Sequence, residues 1–362
     1  MYAHTCLALF LTTFSLLAQD GATAPDPDTG GHRAFTQFVG TWDCAVTIQV
    51  PGADQPAEMK ATERTEIVSG GLWLKSVVQG TAMGQAFEGL TVMGFDPRAK
   101  KYFGIWIDSQ SPSAARSEGT YDSATKTWEL VTLAGDGPSR TVVTFHGADR
   151  STEIGYRKGA DGKEVEMMRI VRTRAAASAP STTAAGVAKP SPTAAGSVVA
   201  SEAAPVEAAH PIAAILRRLP GSWTCTMRMP DGAVVPAKEQ VSAVCGGDWF
   251  WSDFTAPGAI PFEGHALWGY DVRMNHFVSY WIDSTSPGLT ELTGHFDEKS
   301  NVLTLHGHSI DPAGEKQRLH ETIEWPSEHQ RVLTMDFSTG GRNLRMTLTY
   351  EREQSTGGFQ IK

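Results

Sequence analysis

Residues 92–130 read VMGFDPRAKKYFGIWIDSQSPSAARSEGTYDSATKTWEL, and residues 267–305 read LWGYDVRMNHFVSYWIDSTSPGLTELTGHFDEKSNVLTL. Six of seven positions agree between WIDSQSP and WIDSTSP, with Gly94/Gly269, Asp96/Asp271 and Gly119/Gly294 in step. Upstream the same landmarks recur in the same order. Gly40-Thr41-Trp42-Asp43-Cys44 answers to Gly221-Ser222-Trp223-Thr224-Cys225, Gly70-Gly71-Leu72-Trp73 to Gly246-Gly247-Asp248-Trp249, and Phe87-Glu88-Gly89 to Phe262-Glu263-Gly264. A chain that repeats over this length folds as two copies of one unit. Its 362 residues suit two cores of roughly 140 residues each, a size that buries most of its apolar surface. We place the copies at 32–174 and 210–354.

Between them, residues 175–209 are rich in Ala, Pro, Ser and Thr and lack aromatics and any apolar period. Pro180, Pro190, Pro192 and Pro205 interrupt any helix too often for one to nucleate, so the segment reads as a disordered, flexible linker. At the other extreme, Cys6 to Ala18 is an apolar run of signal-peptide length, although the residues before it carry no Lys or Arg. Residues 1–18 are therefore read as a signal peptide cleaved after Ala18, which predicts a periplasmic or secreted protein. No later apolar run is long enough for a membrane-spanning helix, so no transmembrane anchor is expected after cleavage. A net charge of -9 gives no footprint for a polyanion, and nucleic acid is not an expected partner.

Within each copy, short segments alternate apolar with polar residues and are punctuated by Gly, Asp and Pro, which is strand patterning. In the first copy the segments are 41–50, 63–68, 72–79, 101–108, 117–121, 127–133, 141–145 and 165–172. About eight antiparallel strands without crossover helices favour an up-and-down barrel. A short helix is expected before each first strand, over Phe35 to Val39 and over Ile212 to Leu219, the second opened by Pro211.

An early Gly-x-Trp followed by such a meander resembles the calycin barrels, the lipocalins and their relatives. The resemblance implies that Trp42 and Trp223 plug one end of each barrel. It also implies an Arg from the last strand over each indole, offered by Arg169, Arg172 or Arg174 and by Arg345 or Arg352. More specifically, the run from Gly94-Phe95-Asp96 through Trp106-Ile107-Asp108-Ser109 to Gly119-Thr120-Tyr121-Asp122 resembles the bacterial family called domain of unknown function 1579. The expected fold is all-β: two antiparallel up-and-down, calycin-like (lipocalin-like) barrels in tandem. That family carries no established activity, so no catalytic residue or cofactor is transferred.

Strand 102–108 has Tyr102, Gly104, Trp106 and Asp108 on one face and Phe103, Ile105 and Ile107 on the other, so both faces are covered. One reading makes Trp106 and Trp281 a pocket wall with Asp108, Ser109, Asp283 and Ser284 at its mouth. The other has each Asp cap the following Ser-x-Ser-Pro turn while the Trp fills core. Glu88 and Glu263, in the shared Phe-Glu-Gly, are either lumen carboxylates with raised pKa or exposed strand residues.

Seven of the eleven histidines cluster between His265 and His329 of the second copy. His306 and His308 share a strand face, and simple hairpin registers bring Glu291 and His320 beside His306, a set with zinc-ligand chemistry confined to this copy. In a calycin-like meander the first two strands are neighbours, so a disulfide between Cys225 and Cys245 is expected, leaving Cys44 a buried free thiol. No nucleophile elbow, phosphate-binding loop or zincin helix is present in the sequence. The leading expectation is a binding protein for a small apolar ligand. The alternatives are a metal-dependent barrel enzyme acting from the second domain and a structural envelope module.

Overall fold

The computed structural model describes residues 31–176 and 211–353, apart from short stretches at 51, 54, 83, 112, 135–138, 160, 259–260, 311–315 and 340–341. The expected signal peptide and nearly all of the 175–209 linker lie outside the described residues. The first copy contains β1 (Gly40–Ile48), β2 (Ala57–Val68), β3 (Trp73–Ala82), β4 (Gln85–Asp96) and β5 (Lys101–Asp108). It continues with β6 (Ala115–Asp122), β7 (Thr127–Ala134), β8 (Arg140–Phe145), β9 (Arg150–Lys158) and β10 (Glu164–Arg174). The second contains β11 (Gly221–Arg228), β12 (Val234–Val244), β13 (Trp249–Ala256), β14 (Phe262–Asp271) and β15 (His276–Asp283). Then come β16 (Thr290–Asp297), β17 (Val302–Ile310), β18 (Lys316–Ser327), β19 (Gln330–Thr339) and β20 (Arg342–Arg352).

Each set closes on itself as an antiparallel meander, with β1 paired to both β2 and β10 and β11 to both β12 and β20. Closure leaves no free sheet edge. Each barrel has ten strands rather than the expected eight or so, because β4 and β9 escape the alternation rule. Gly89 and Gly94 mimic turn signals in β4, but Gly89 lies under Trp106 and Gly94 under Trp73, where a Cβ would stand 2.2 Å and 2.5 Å from the nearest indole carbon. In β9 the inward positions include Ser151, Glu153 and Gly155, so no apolar stripe shows in the sequence.

One end of each barrel is plugged. The leading helices are 3-10 turns, His32–Gln37 and Pro211–Arg218, the first starting three residues earlier than expected and the second at Pro211. Trp42 Nε1 donates to Phe38 O at 2.7 Å, and Trp223 Nε1 to Leu219 O at 2.9 Å. Of the candidate arginines, Arg174 and Arg352 cover the indoles, each 4.1 Å from the ring centroid. Their guanidiniums occupy the place a side chain would take at Gly40 and Gly221, whose φ values of +125° and +131° also favour glycine.

The two barrels share a third core outside both lumens. Leu72, Trp73, Leu90, Val92, Ile105, Ile107 and Ala114 pack with Cys245, Trp249, Trp251, Leu267, Val278, Tyr280 and Ile282. The outer faces of β3–β5 and β13–β15 thus cover one another, which is why strand 102–108 is apolar on both sides. Aligned positions meet across this seam, as in a two-fold interface. Lys75 Nζ lies 4.2 Å from the ring of its counterpart Trp251, and Arg116 Nη1 is 2.5 Å from Oε2 of its counterpart Glu291. Off the axis the contacts are reciprocal, with Gly70 against Ser284 and Gly246 against Ser109. Among the described residues no helix is long and apolar enough to cross a membrane.

Candidate functional site

At the end of each barrel opposite its plug, alternation along β5 and β15 turns Trp106 and Trp281 inward, both half-buried. Phe87 stacks on Trp106 at 6.4 Å, and Phe262 on Trp281 at 6.3 Å, with Phe254 edge-on at 6.0 Å. Each aromatic pair sits at the mouth of a lumen.

The polar members of the shared motif serve the turn instead. Asp108 Oδ2 accepts from Trp106 Nε1 at 2.8 Å and its Oδ1 from Gln110 N at 2.8 Å. Asp283 accepts from Trp281 Nε1, Thr285 N, Thr285 Oγ1 and Ser286 N. Ser109 Oγ accepts from Glu88 N at 3.1 Å, and Ser284 Oγ from Glu263 N at 3.2 Å, tying β4 to β5 and β14 to β15. Glu88 is neither a lumen carboxylate nor an exposed one. It faces the seam, where its Oε2 accepts from Cys245 N at 2.8 Å. Glu263 also lies on the outer face, 3.5 Å from His265 Nε2. The sequence string read as a pocket rim is therefore mainly a turn and a seam, with only the two Trp left on the lumen.

Deeper in the lumens lie buried charges, of which the sequence singles out only Arg172, as a candidate for the plug. In the first barrel Arg172 donates to Glu63 Oε2 at 2.5 Å and lies 2.8 Å from Glu153 Oε2. Burial pushes the Glu63 carboxyl upward, but Arg172 and the hydrogen bonds from Arg172, Ser76 and Thr65 outweigh it and hold it below the ordinary range. In the second barrel Arg331 takes over from Arg172 and pairs with Glu239. Its other buried carboxyl, Glu321 on β18, has no such partner: it is 5 % exposed, and burial alone pushes its pKa up to about 8. Four residues along the same inward face, Gln317 is 2 % exposed, with neither amide atom hydrogen-bonded. The period of β18 exposes both in the sequence, since Leu319, Ile323 and Trp325 share their face.

The histidines fall on the outer face of the second barrel. His306 stands opposite His320 with rings 4.6 Å apart and stacked, but Glu291 stands opposite His308 and is held by Arg116. His320 Nδ1 instead approaches Asp336 Oδ2 at 3.7 Å, and Asp336 is itself gripped by Arg345 at 2.7 Å and 2.9 Å. These residues line a groove of about 1020 Å³ with Arg318 and Ser338. Among the described residues no three His, Cys, Asp or Glu converge to hold a metal ion, so the expected zinc set shares a face without forming a site. The expected disulfide is also absent. Cys225 points into the lumen opposite Ala237, whereas Cys245 lies beyond the end of β12 on the outside, with its Sγ 3.8 Å from Ile107 O in the seam. Both thiols are free, as is Cys44.

Closed, plugged barrels with an aromatic mouth define a calycin-like tandem. The chain belongs to the family described as protein of unknown function (DUF1579), which matches it twice, over residues 28–174 and 209–352. No curated protein matches it. Among solved structures it is similar to a protein of unknown function from the DUF3598 family of Nostoc punctiforme, at 12% identity over 89% of this chain and 99% of that one, with a TM-score of 0.24. A redesigned β-barrel shares 14% identity over 40% of this chain and 96% of its own, with a TM-score of 0.19. A variant of transferrin binding protein B from Haemophilus parasuis shares 6% over 92% and 90%, with a TM-score of 0.20.

Proposed function

We propose that the chain is an exported binding protein whose two lumens each receive a small, mostly apolar molecule against Trp106 or Trp281. One observation carries the reading. Inward-facing apolar side chains stay partly exposed in both barrels, among them Phe87, Trp106 and Met168 in the first and Phe262, Trp281, Met335 and Met346 in the second. An inward residue of a closed sheet keeps exposure where solvent enters the lumen, and an apolar wall with few polar groups suits a small molecule. Export rests on the apolar run from Cys6 to Ala18.

Titration of intrinsic Trp fluorescence with fatty acids, isoprenoids and haem tests the binding. A saturable change, weakened at least tenfold in Trp281→Ala, supports the reading, and no saturable change with any class overturns it. Amino-terminal sequencing of the protein recovered from its producing cells tests export. A start just after Ala18 supports it, and an intact Met1 contradicts it.

A further inference from the structure

Both lumens hold two inward carboxyls and one buried arginine, but they use them differently. In the first, Arg172 reaches Glu63 and Glu153 together. In the second, Arg331 reaches Glu239, and the other carboxyl has moved from β9 to the strand equivalent to β8, where Thr141 is the counterpart of Glu321. A strand residue four places along lies about 13 Å away, so Gln317 and Glu321 mark two depths of one lumen, the first nearer the mouth. Among the described residues neither Gln317 amide atom has a hydrogen-bond partner, and no charge or hydrogen bond offsets the burial of Glu321, whereas buried polar groups are ordinarily paired. The inward titratable groups around Glu321 are Cys225 on β11, Glu239 on β12, Tyr270 on β14, Asp283 on β15, Arg331 on β19 and Tyr350 on β20. Arg331 is committed to Glu239, and Asp283 to its turn. Burial raises the Cys225, Tyr270 and Tyr350 pKa values, so these groups are neutral near pH 7.

We infer that the second barrel selects an apolar ligand bearing a primary amine, seated as an ammonium on the Glu321 carboxylate, with the tail running past Gln317 toward Trp281. This rests on the lumen reading and adds the ligand class. The amine supplies the cation that Glu321 lacks, Arg331 being held by Glu239. The ligand enters protonated, Glu321 releases its proton to solvent, and N–H···O⁻ hydrogen bonds form. Because the empty-site carboxyl titrates at about 8, one proton leaves per ligand below that pH, and affinity rises about tenfold per pH unit between 6 and 8.

Isothermal titration with octylamine, octanol and octanoate, in two buffers of different ionisation enthalpy at pH 6.5, tests it. Octylamine is expected to bind at least tenfold tighter than octanol and to release one proton. Octanoate is expected to bind weakest. Glu321→Gln should bring octylamine to the level of octanol or below and end the proton release. If octylamine and octanol bind alike without proton release, or if Glu321→Gln leaves octylamine binding unchanged, the amine assignment fails while the lumen reading stands. If none of the three binds saturably, the lumen reading fails with it.

Discussion

Arg116 and Glu291 hold the same position in the two repeats and bond to each other across the seam, Nη1 to Oε2 at 2.5 Å. At a two-fold axis a residue meets its own counterpart. Two first copies would therefore set Arg116 against Arg116, and two second copies Glu291 against Glu291. Opposite charges at one aligned position favour pairing of unlike barrels and disfavour pairing of like ones.

Reversing one charge should loosen the seam. The side chains are 41% and 31% exposed, so solvent screening limits the pair to about 0.5–1 kcal/mol. Arg116→Glu is expected to lower the thermal midpoint by a few degrees, and adding Glu291→Arg should restore it. A double variant no better than the single one would show that the pair contributes nothing.

The buried arginine of the first barrel is far more costly to remove. Arg172→Met leaves the buried Glu63 and the partly buried Glu153 without their cation, and a loss of about 3–5 kcal/mol is expected in urea unfolding of the first barrel. A loss under about 1 kcal/mol would mean that the carboxylates are hydrated rather than ion-paired.

Glu321 predicts a stability change of opposite sense. Its folded-state pKa, about 8, lies above the unfolded value, so its favourable contribution is complete at acid pH and is lost as pH rises from about 4.5 to 8. Glu321→Gln should match the parent near pH 4.5 and exceed it by on the order of 4–5 kcal/mol at pH 8.5. Equal stability at both pH values would show that Glu321 has a partner or reaches solvent.

The cysteines give a count. Cys44, Cys225 and Cys245 are free and at most 5 % exposed, and burial pushes their thiols well above the ordinary range. Protein lacking residues 1–18 should react slowly with a thiol reagent when native and release three thiols when unfolded without reductant. One thiol instead of three would restore the Cys225–Cys245 bridge.

Much of the barrel was legible because its inward faces keep strict period two, as Trp42, Cys44 and Val46 do in β1. The plug was legible for the same reason, down to a short choice of arginines. The seam was visible only as an oddity, a strand apolar on both faces. Periodicity reports that a second face is covered but not what covers it, and here the cover is the other repeat, far away in sequence. The shared Trp-Ile-Asp-Ser string looked like a pocket rim because turn capping and ligand binding use the same polar residues. Cys225 and Cys245 looked bridgeable because adjacency of strands says nothing of depth along them or of face. Glu321 was readable from β18 alone, as an acid in an apolar stripe.

The two repeats form one body through a shared core. A specific protease site placed between residues 175 and 209, cut under native conditions, tests this directly when the product is run on gel filtration at micromolar concentration. Both fragments should elute together as one species of the uncut size, separating only when the seam is broken, for instance by Leu267→Asp. Elution as two separate barrels after cutting the unmodified seam would contradict it.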